Sequence, residues 1–266
     1  MREHVLCDFY RITGHLDQLL NDEGLTVEEL ARLTAAGGRA LVDWNPDLGR
    51  NGPGLRRIAQ RTGLHIVMDT GWYRQLFYPP EIDRATVEML AERIVADLQG
   101  GSDGAVPGGI IGEIGSDRDH LTAQEERVFR EAARAHRATG APITTHASMH
   151  PAGVRQLALL REEGVPPERI IIGHCDTYLD PAYHRSLLKA GVYVEFDTIG
   201  RQHINPDQRR ADALVSLIRE GWVARLLPSS DRCYRSDLHT FGGQATMSSS
   251  SSSSPCSGSG ESARTN

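Results

Sequence analysis

A (β/α)8 barrel of the α/β class is the fold this chain predicts, on three observations. Eight short β-branched runs alternate with longer amphipathic segments, the runs are continuously hydrophobic, and potential metal ligands fall at the ends of several of them. Runs such as Ile170-Ile171-Ile172 suit parallel strands covered on both faces rather than half-exposed antiparallel ones. Such alternation builds either a closed barrel or an open doubly wound sheet. The candidate ligands come from the ends of strands one, four, five, six and eight, and those ends converge on one point only if the sheet closes.

The elements follow in order. The first strand covers residues 3–8; Thr26 with Glu29 reads as a capping box for the helix behind it, which closes at Gly37. The second strand, 39–45, leads to a helix closed by Gly63, and the third strand is 65–71. The fourth, 109–114, precedes a second capping box, Thr122 with Glu125. The helix it opens, 123–139, turns Val128, Phe129, Ala132, Ala133 and Ala135 inward, with Glu and Arg toward water. Gly140 closes it, the fifth strand is 142–146, and Gly164 ends the next helix. After the sixth strand, 169–174, Asp180-Pro181 starts a helix that stops at Gly191. Asn205-Pro206 does the same after the seventh strand, 192–197, with Gly221 at its end.

The eighth strand is 224–229, and residues 232–244 read as the loop that should lead into an eighth helix. Instead Met247 is followed by an unbroken serine run. We expect a hydrolase barrel over residues 1–246 that lacks its last helix, and a disordered low-complexity tail over 247–266, whose composition cannot bury enough surface to offset its ordering entropy. The barrel flank beside strands one and eight should then expose an apolar strip.

Composition narrows the function. With 266 residues and 39% hydrophobic content the chain holds one large domain. A formal charge of −6 with scattered basic residues argues against nucleic acid and for a small-molecule substrate. Four cysteines, Cys7, Cys175, Cys233 and Cys256, form no CxxC pair, which predicts a reducing compartment. With no leader-like N-terminus and no apolar run near ~18 residues, the expected location is cytoplasmic, away from membranes.

Glu113 lies at the end of strand four between Gly112 and Gly115, and glycine on both sides would let a metal or a backbone approach closely. A lone strand-end histidine is more often structural than a ligand. His146 and His174 end consecutive strands, with Glu113 on the strand before, and together they point to metal. Asp231 reads either as a turn residue or as a general base beside a metal-activated hydroxide. Asp176, close behind His174, is a capping group or a partner of a ligand. Histidines 15, 65, 120, 136, 150, 184, 203 and 239 read mostly as surface residues. One carboxylate between histidines and a late aspartate suit divalent zinc or manganese, which implies a metal-dependent hydrolase with zinc as the expected ion.

These segments, together with Ala35-Ala36-Gly37-Gly38-Arg39, Thr70-Gly71-Trp72-Tyr73, Glu195-Phe196-Asp197 and Ser230-Asp231, resemble the phosphotriesterase-like family of the amidohydrolase superfamily over residues 3–243. The resemblance implies a two-metal barrel that hydrolyses phosphotriesters, lactones or related esters through a bridging hydroxide. Carried over residue by residue, it assigns His4 and Asp231 to the more buried metal and His146 and His174 to the more exposed one. Glu113 would bridge them, and Tyr73 would line the substrate pocket. The family's first strand carries His-x-His, and here the first of these positions is Arg2, a guanidinium that cannot ligate and would repel a dication. Unequal metal occupancy follows. Two other readings are a TatD-type metal-dependent deoxyribonuclease, against which the acidic balance stands, and a degenerate barrel with impaired catalysis. Association into a homodimer is allowed for.

Overall fold

A computed structural model describes residues 2–45, 48–100 and 106–243. The strands are β1 (Arg2–Glu3), β2 (Cys7–Asp8), β3 (Leu19–Leu20), β4 (Ala40–Asp43), β5 (His65–Thr70), β6 (Ile110–Gly115), β7 (Ile143–His146), β8 (Ile170–Gly173), β9 (Tyr193–Phe196) and β10 (Leu226–Pro228). The helices are α1 (Tyr10–Thr13), α2 (Glu23–Ala35), α3 (Gly52–Thr62), α4 (Val87–Leu98), α5 (Ala123–Thr139), α6 (Gly153–Glu162), α7 (Pro181–Lys189) and α8 (Asp207–Arg219). Eight strands form one sheet in the order β1-β4-β5-β6-β7-β8-β9-β10, with parallel pairing throughout. This is the α/β barrel order, each strand beside its successor in the chain.

All eight predicted strand segments contribute to that sheet, but the first is shorter than expected. Its ladder stops at Glu3 because the Val5 amide donates to the Asp43 carboxylate (2.6 Å) instead of a neighbouring strand. Cys7–Asp8 then pairs antiparallel with Leu19–Leu20 in a separate ribbon. Closure between β1 and β10 relies on the Glu3 side chain and one backbone hydrogen bond just past the strands. The Glu3 carboxylate accepts from Ser230 Oγ (2.6 Å) and the Arg232 amide (2.8 Å), and the His4 amide donates to the Arg232 carbonyl (3.1 Å). Burial pushes the Glu3 carboxyl up to about 7, against the opposing pull of its bonds to Ser230 and Arg232.

Helix punctuation is partly as predicted. Thr122 and Glu125 form the capping box of α5, and Asp180 caps α7 with Pro181 at its first turn. Val128, Phe129, Ala132, Ala133 and Ala135 are fully buried, joining Ile111, Ile143, Ile170 and Val194 in the main core. The other two caps are corrected. Helix α2 is capped by Asp22, whose carboxylate accepts from the Gly24 and Leu25 amides, while Glu29 is drawn away to the His239 and Thr240 amides and the Thr240 hydroxyl. Pro206 stands at the cap of α8, and Asn205 instead donates to the Asp176 and Thr177 carbonyls.

Among the described residues no α-helix follows β10, only short 3-10 helices at Arg235–Asp237 and His239–Phe241. Residues 229–243 run as turns tied to the first β/α unit through Glu3, Glu29 and Asp17, the last accepting from the Ser236 amide and hydroxyl. Val215, Ile218 and Val223 are 39%, 47% and 62% exposed, an apolar strip on α8 and the turn before β10. The serine-rich segment 247–266, read as a disordered tail, lies outside the described residues. Within those residues no helix is long and apolar enough to cross a membrane.

Candidate metal centre

The geometry of Glu113 begins with Gly112. Its φ of +97° is a conformation that favours glycine, and a Cβ there would collide with the Thr144 carbonyl oxygen. At this point Thr70 pairs with both Ile111 and Gly112, a bulge in the parallel ladder. A bulge of this kind re-aims the residue beside it, and Glu113 is 1% exposed. Gly115 serves a second close approach, since a Cβ on it would stand 2.6 Å from His146 Cβ. The predicted need for glycine on both sides is thus met by backbone and side-chain contact.

Glu113 Oε1 lies 3.0 Å from His146 Nδ1 and 2.9 Å from His174 Nε2. The imidazoles cross at 80° with centroids 4.3 Å apart. Glu113, His146 and His174 are the group of acidic, histidine or cysteine residues, among those described, whose ligand atoms all lie within 4.8 Å of one another. His174 sits at φ +56° just past β8, and the Asp197 carboxylate takes its amide (3.1 and 3.0 Å) and its Nδ1–H (2.8 Å). With that proton committed to Asp197, the neutral ring would turn the Nε2 lone pair toward the Glu113 carboxylate. Two acceptors at 2.9 Å repel unless a proton or cation is shared between them. The donor set, two imidazoles and a carboxylate, fits a divalent ion of the zinc type.

His4 and Asp231 meet separately. Asn45 donates its amide to Asp43 Oδ1 (2.8 Å), so its carbonyl oxygen faces His4 Nδ1 (2.9 Å) and places the proton on that nitrogen. Nε2 then faces Asp231 Oδ1 at 3.4 Å. Asp43 and Asp69 lie beneath, fully buried. Burial raises the Asp43 carboxyl to about 6, and burial with the neighbouring Asp43 charge raises Asp69 well above the usual range. Tyr73 connects the two groups. Its hydroxyl is 3.3 Å from His146 Nδ1, and its ring packs on Phe9, which packs on His4. The side chain of Arg2 is outside the described part of the structure.

Sequence reasoning missed Asn45, Asp197 as the partner of His174, and Arg201, which contacts Asp231 Oδ2 at 3.7 Å. Asp197 had a visible signal, since it follows β9 just as His174 follows β8. Asp176 is a buried hub that accepts from Arg210 Nε (2.8 Å), the Thr198 amide (3.0 Å) and the Thr198 hydroxyl (2.7 Å). Burial and the adjacent Asp197 charge lift it to about 6. Two histidines read as surface residues are buried: His136 bonds the Ala141 carbonyl (2.7 Å) and His184 the Cys175 carbonyl (2.9 Å). Burial lowers the His184 pKa.

Comparison with known proteins gives a consistent picture. The model of the Phosphotriesterase family matches residues 1–247. The phosphotriesterase homology protein of Escherichia coli is 35% identical over 91% of this chain and 83% of its own length. Its crystal structure, complexed with phosphate in the active site, superposes with a TM-score of 0.90 at 34% identity, over 92% of this chain and 86% of that one. A lactonase from Listeria monocytogenes gives a TM-score of 0.86 at 28% identity, covering 92% and 81%. An N-acetyltaurine hydrolase of Tetraodon nigroviridis is 31% identical over 86% of this chain and 70% of its own length.

Proposed function

The chain belongs to the phosphotriesterase family, and from that premise we propose that it is a metal-dependent hydrolase of ester-type bonds in a phosphotriester, lactone or carboxylic ester. The observation that carries this reading is the buried cluster of Glu113, His146 and His174, with Glu113 Oε1 2.9 Å from His174 Nε2 and 3.0 Å from His146 Nδ1. Glu113, His146 and His174 would hold the ion, zinc by their chemistry, with His4 and Asp231 as a second pair of donors. When bound, the metal supplies Lewis acidity toward the substrate oxygen and a water whose pKa falls from 15.7 toward ~7.

The protein's own residues do the rest. Asp197 fixes the His174 tautomer, and Asn45 fixes that of His4. Asp231, its Oδ1 turned to His4, accepts the proton as water attacks, the general-base role. Tyr73, with Phe9 and Phe77 around it, offers an apolar wall with one hydroxyl for a small substrate. The resemblance to lactonase and aryldialkylphosphatase relatives supports the ester reading, and the N-acetyltaurine hydrolases make an amide the natural control.

The test is a panel of an aryl dialkyl phosphate, γ- and δ-lactones, an aryl ester and N-acetyltaurine, offered to the zinc- or manganese-loaded full chain. Turnover of an ester or lactone that disappears in Glu113→Gln is expected. Turnover confined to N-acetyltaurine would move the assignment to amides. Inactivity toward every member, with metal bound, would overturn it.

A further inference from the structure

Asp231 is a non-glycine residue at φ +51°, a backbone conformation that needs support from its surroundings. One side chain grips it twice. Arg201, on the turn after β9, donates through Nη2 to the Asp231 carbonyl oxygen, and the same nitrogen lies 3.7 Å from Asp231 Oδ2. With one carboxylate oxygen beside the guanidinium, the other is left facing His4 Nε2 at 3.4 Å.

Arg201 is itself well anchored. Its side chain is 10% exposed, lies 5.3 Å over the Tyr234 ring, and reaches Cys233 Sγ (3.1 Å) and Asp237 Oδ2 (3.9 Å). Its carbonyl accepts from Arg210 Nη2 (3.1 Å), and the fully buried Arg210 is tied to Asp176 and Thr198. A continuous set of polar contacts therefore runs from the turn behind His174 to the loop that carries Asp231. Among the described residues that loop holds only two short 3-10 helices, Arg235–Asp237 and His239–Phe241, and no α-helix.

We propose that Arg201 is a positioning residue that locks the Asp231 loop and carboxylate so that Oδ1 presents to the His4 side of the centre. The role rests on the reading of Asp231 as a member of the active site. It favours a planar guanidinium, because stacking over the Tyr234 ring holds Nη2 against the carbonyl, the carboxylate and the sulfur, and a flexible lysine lacks that anchor.

The test is a cobalt(II) titration of the chelator-stripped full chain, followed by visible absorption, with Arg201→Ala, Arg201→Lys, Asp231→Asn and Glu113→Gln beside the parent. Arg201→Ala should weaken the binding step that Asp231→Asn removes by about 10- to 100-fold, the usual effect of losing a group that orients a ligand. It should leave the Glu113-dependent step unchanged, and millimolar guanidinium should restore the lost step. Arg201→Lys should fall between Arg201→Ala and the parent. A parental titration in Arg201→Ala, with Asp231→Asn altered, would overturn the proposal. So would a defect that spreads to the Glu113-dependent step and resists guanidinium, which marks general damage to the fold. A parental titration in Asp231→Asn would instead overturn the assignment of Asp231 to the site, and the role of Arg201 with it.

Discussion

The Asp197 carboxylate holds His174 at two points, accepting from its backbone amide at 3.1 and 3.0 Å and from its Nδ1 at 2.8 Å. One acidic side chain thus fixes both the left-handed backbone of a strand-end residue and the tautomer of its ring. Asp197→Asn keeps the shape but weakens the acceptor. Metal affinity measured by competition with a chelator should fall about 10- to 100-fold. An unchanged affinity would mean that Asp197 serves the fold alone.

Gly112 offers a test of the bulge that orients Glu113. Gly112→Ala places a Cβ against the Thr144 carbonyl oxygen and forces alanine to φ +97°. Strain and overpacking together should cost about 2–5 kcal/mol in thermal or denaturant unfolding. Metal content should fall in parallel. A variant as stable as the parent would contradict the close approach.

Glu131 on α5 is fully buried, and neither carboxylate oxygen has a hydrogen-bond partner among the described residues. Burial raises its pKa well above 4.5, only partly opposed by the charges of Arg127 and Arg93. The folded state therefore binds this proton more tightly than the unfolded one. Its contribution to stability is fully present below about pH 4.5 and is lost as pH rises through the folded value. Glu131→Gln removes that loss and should make the protein more stable than the parent at neutral pH. Urea unfolding at pH 5 and pH 8 checks the sign: the margin over the parent must be larger at pH 8.

The seam between β1 and β10 depends on Glu3, which accepts from Ser230 and Arg232. Glu3→Ala should destabilise the protein by about 2–4 kcal/mol by leaving buried donors without partners. Hydrogen exchange should speed up first at the His4 and Arg232 amides, while Ile170–Gly173 keeps its protection. Uniform acceleration across the barrel would show that the seam unfolds only with the whole.

The sequence alone was sufficient for features that depend on neighbours within a turn or a strand. Eight β-branched runs named the eight barrel strands, Thr122 with Glu125 named the start of α5, and the strand-end placement of Glu113, His146 and His174 named the triad. Each follows from a short-range rule: side-chain periodicity, a hydrogen bond three residues away, or the direction that parallel strands share. Tertiary structure decided what depends on closure of the barrel. Thr26 and Glu29 carry the same local signature as Thr122 and Glu125, yet Glu29 binds residues 239 and 240, brought beside it only when the ends of the chain meet. His136 and His184 are buried with their rings bonded to the Ala141 and Cys175 carbonyls, which the turns after α5 and β8 present to them. Asn45 beside His4 and Arg201 beside Asp231 likewise join segments far apart in the chain, and no local pattern encodes such a contact, because its energy exists only once the strands are in register.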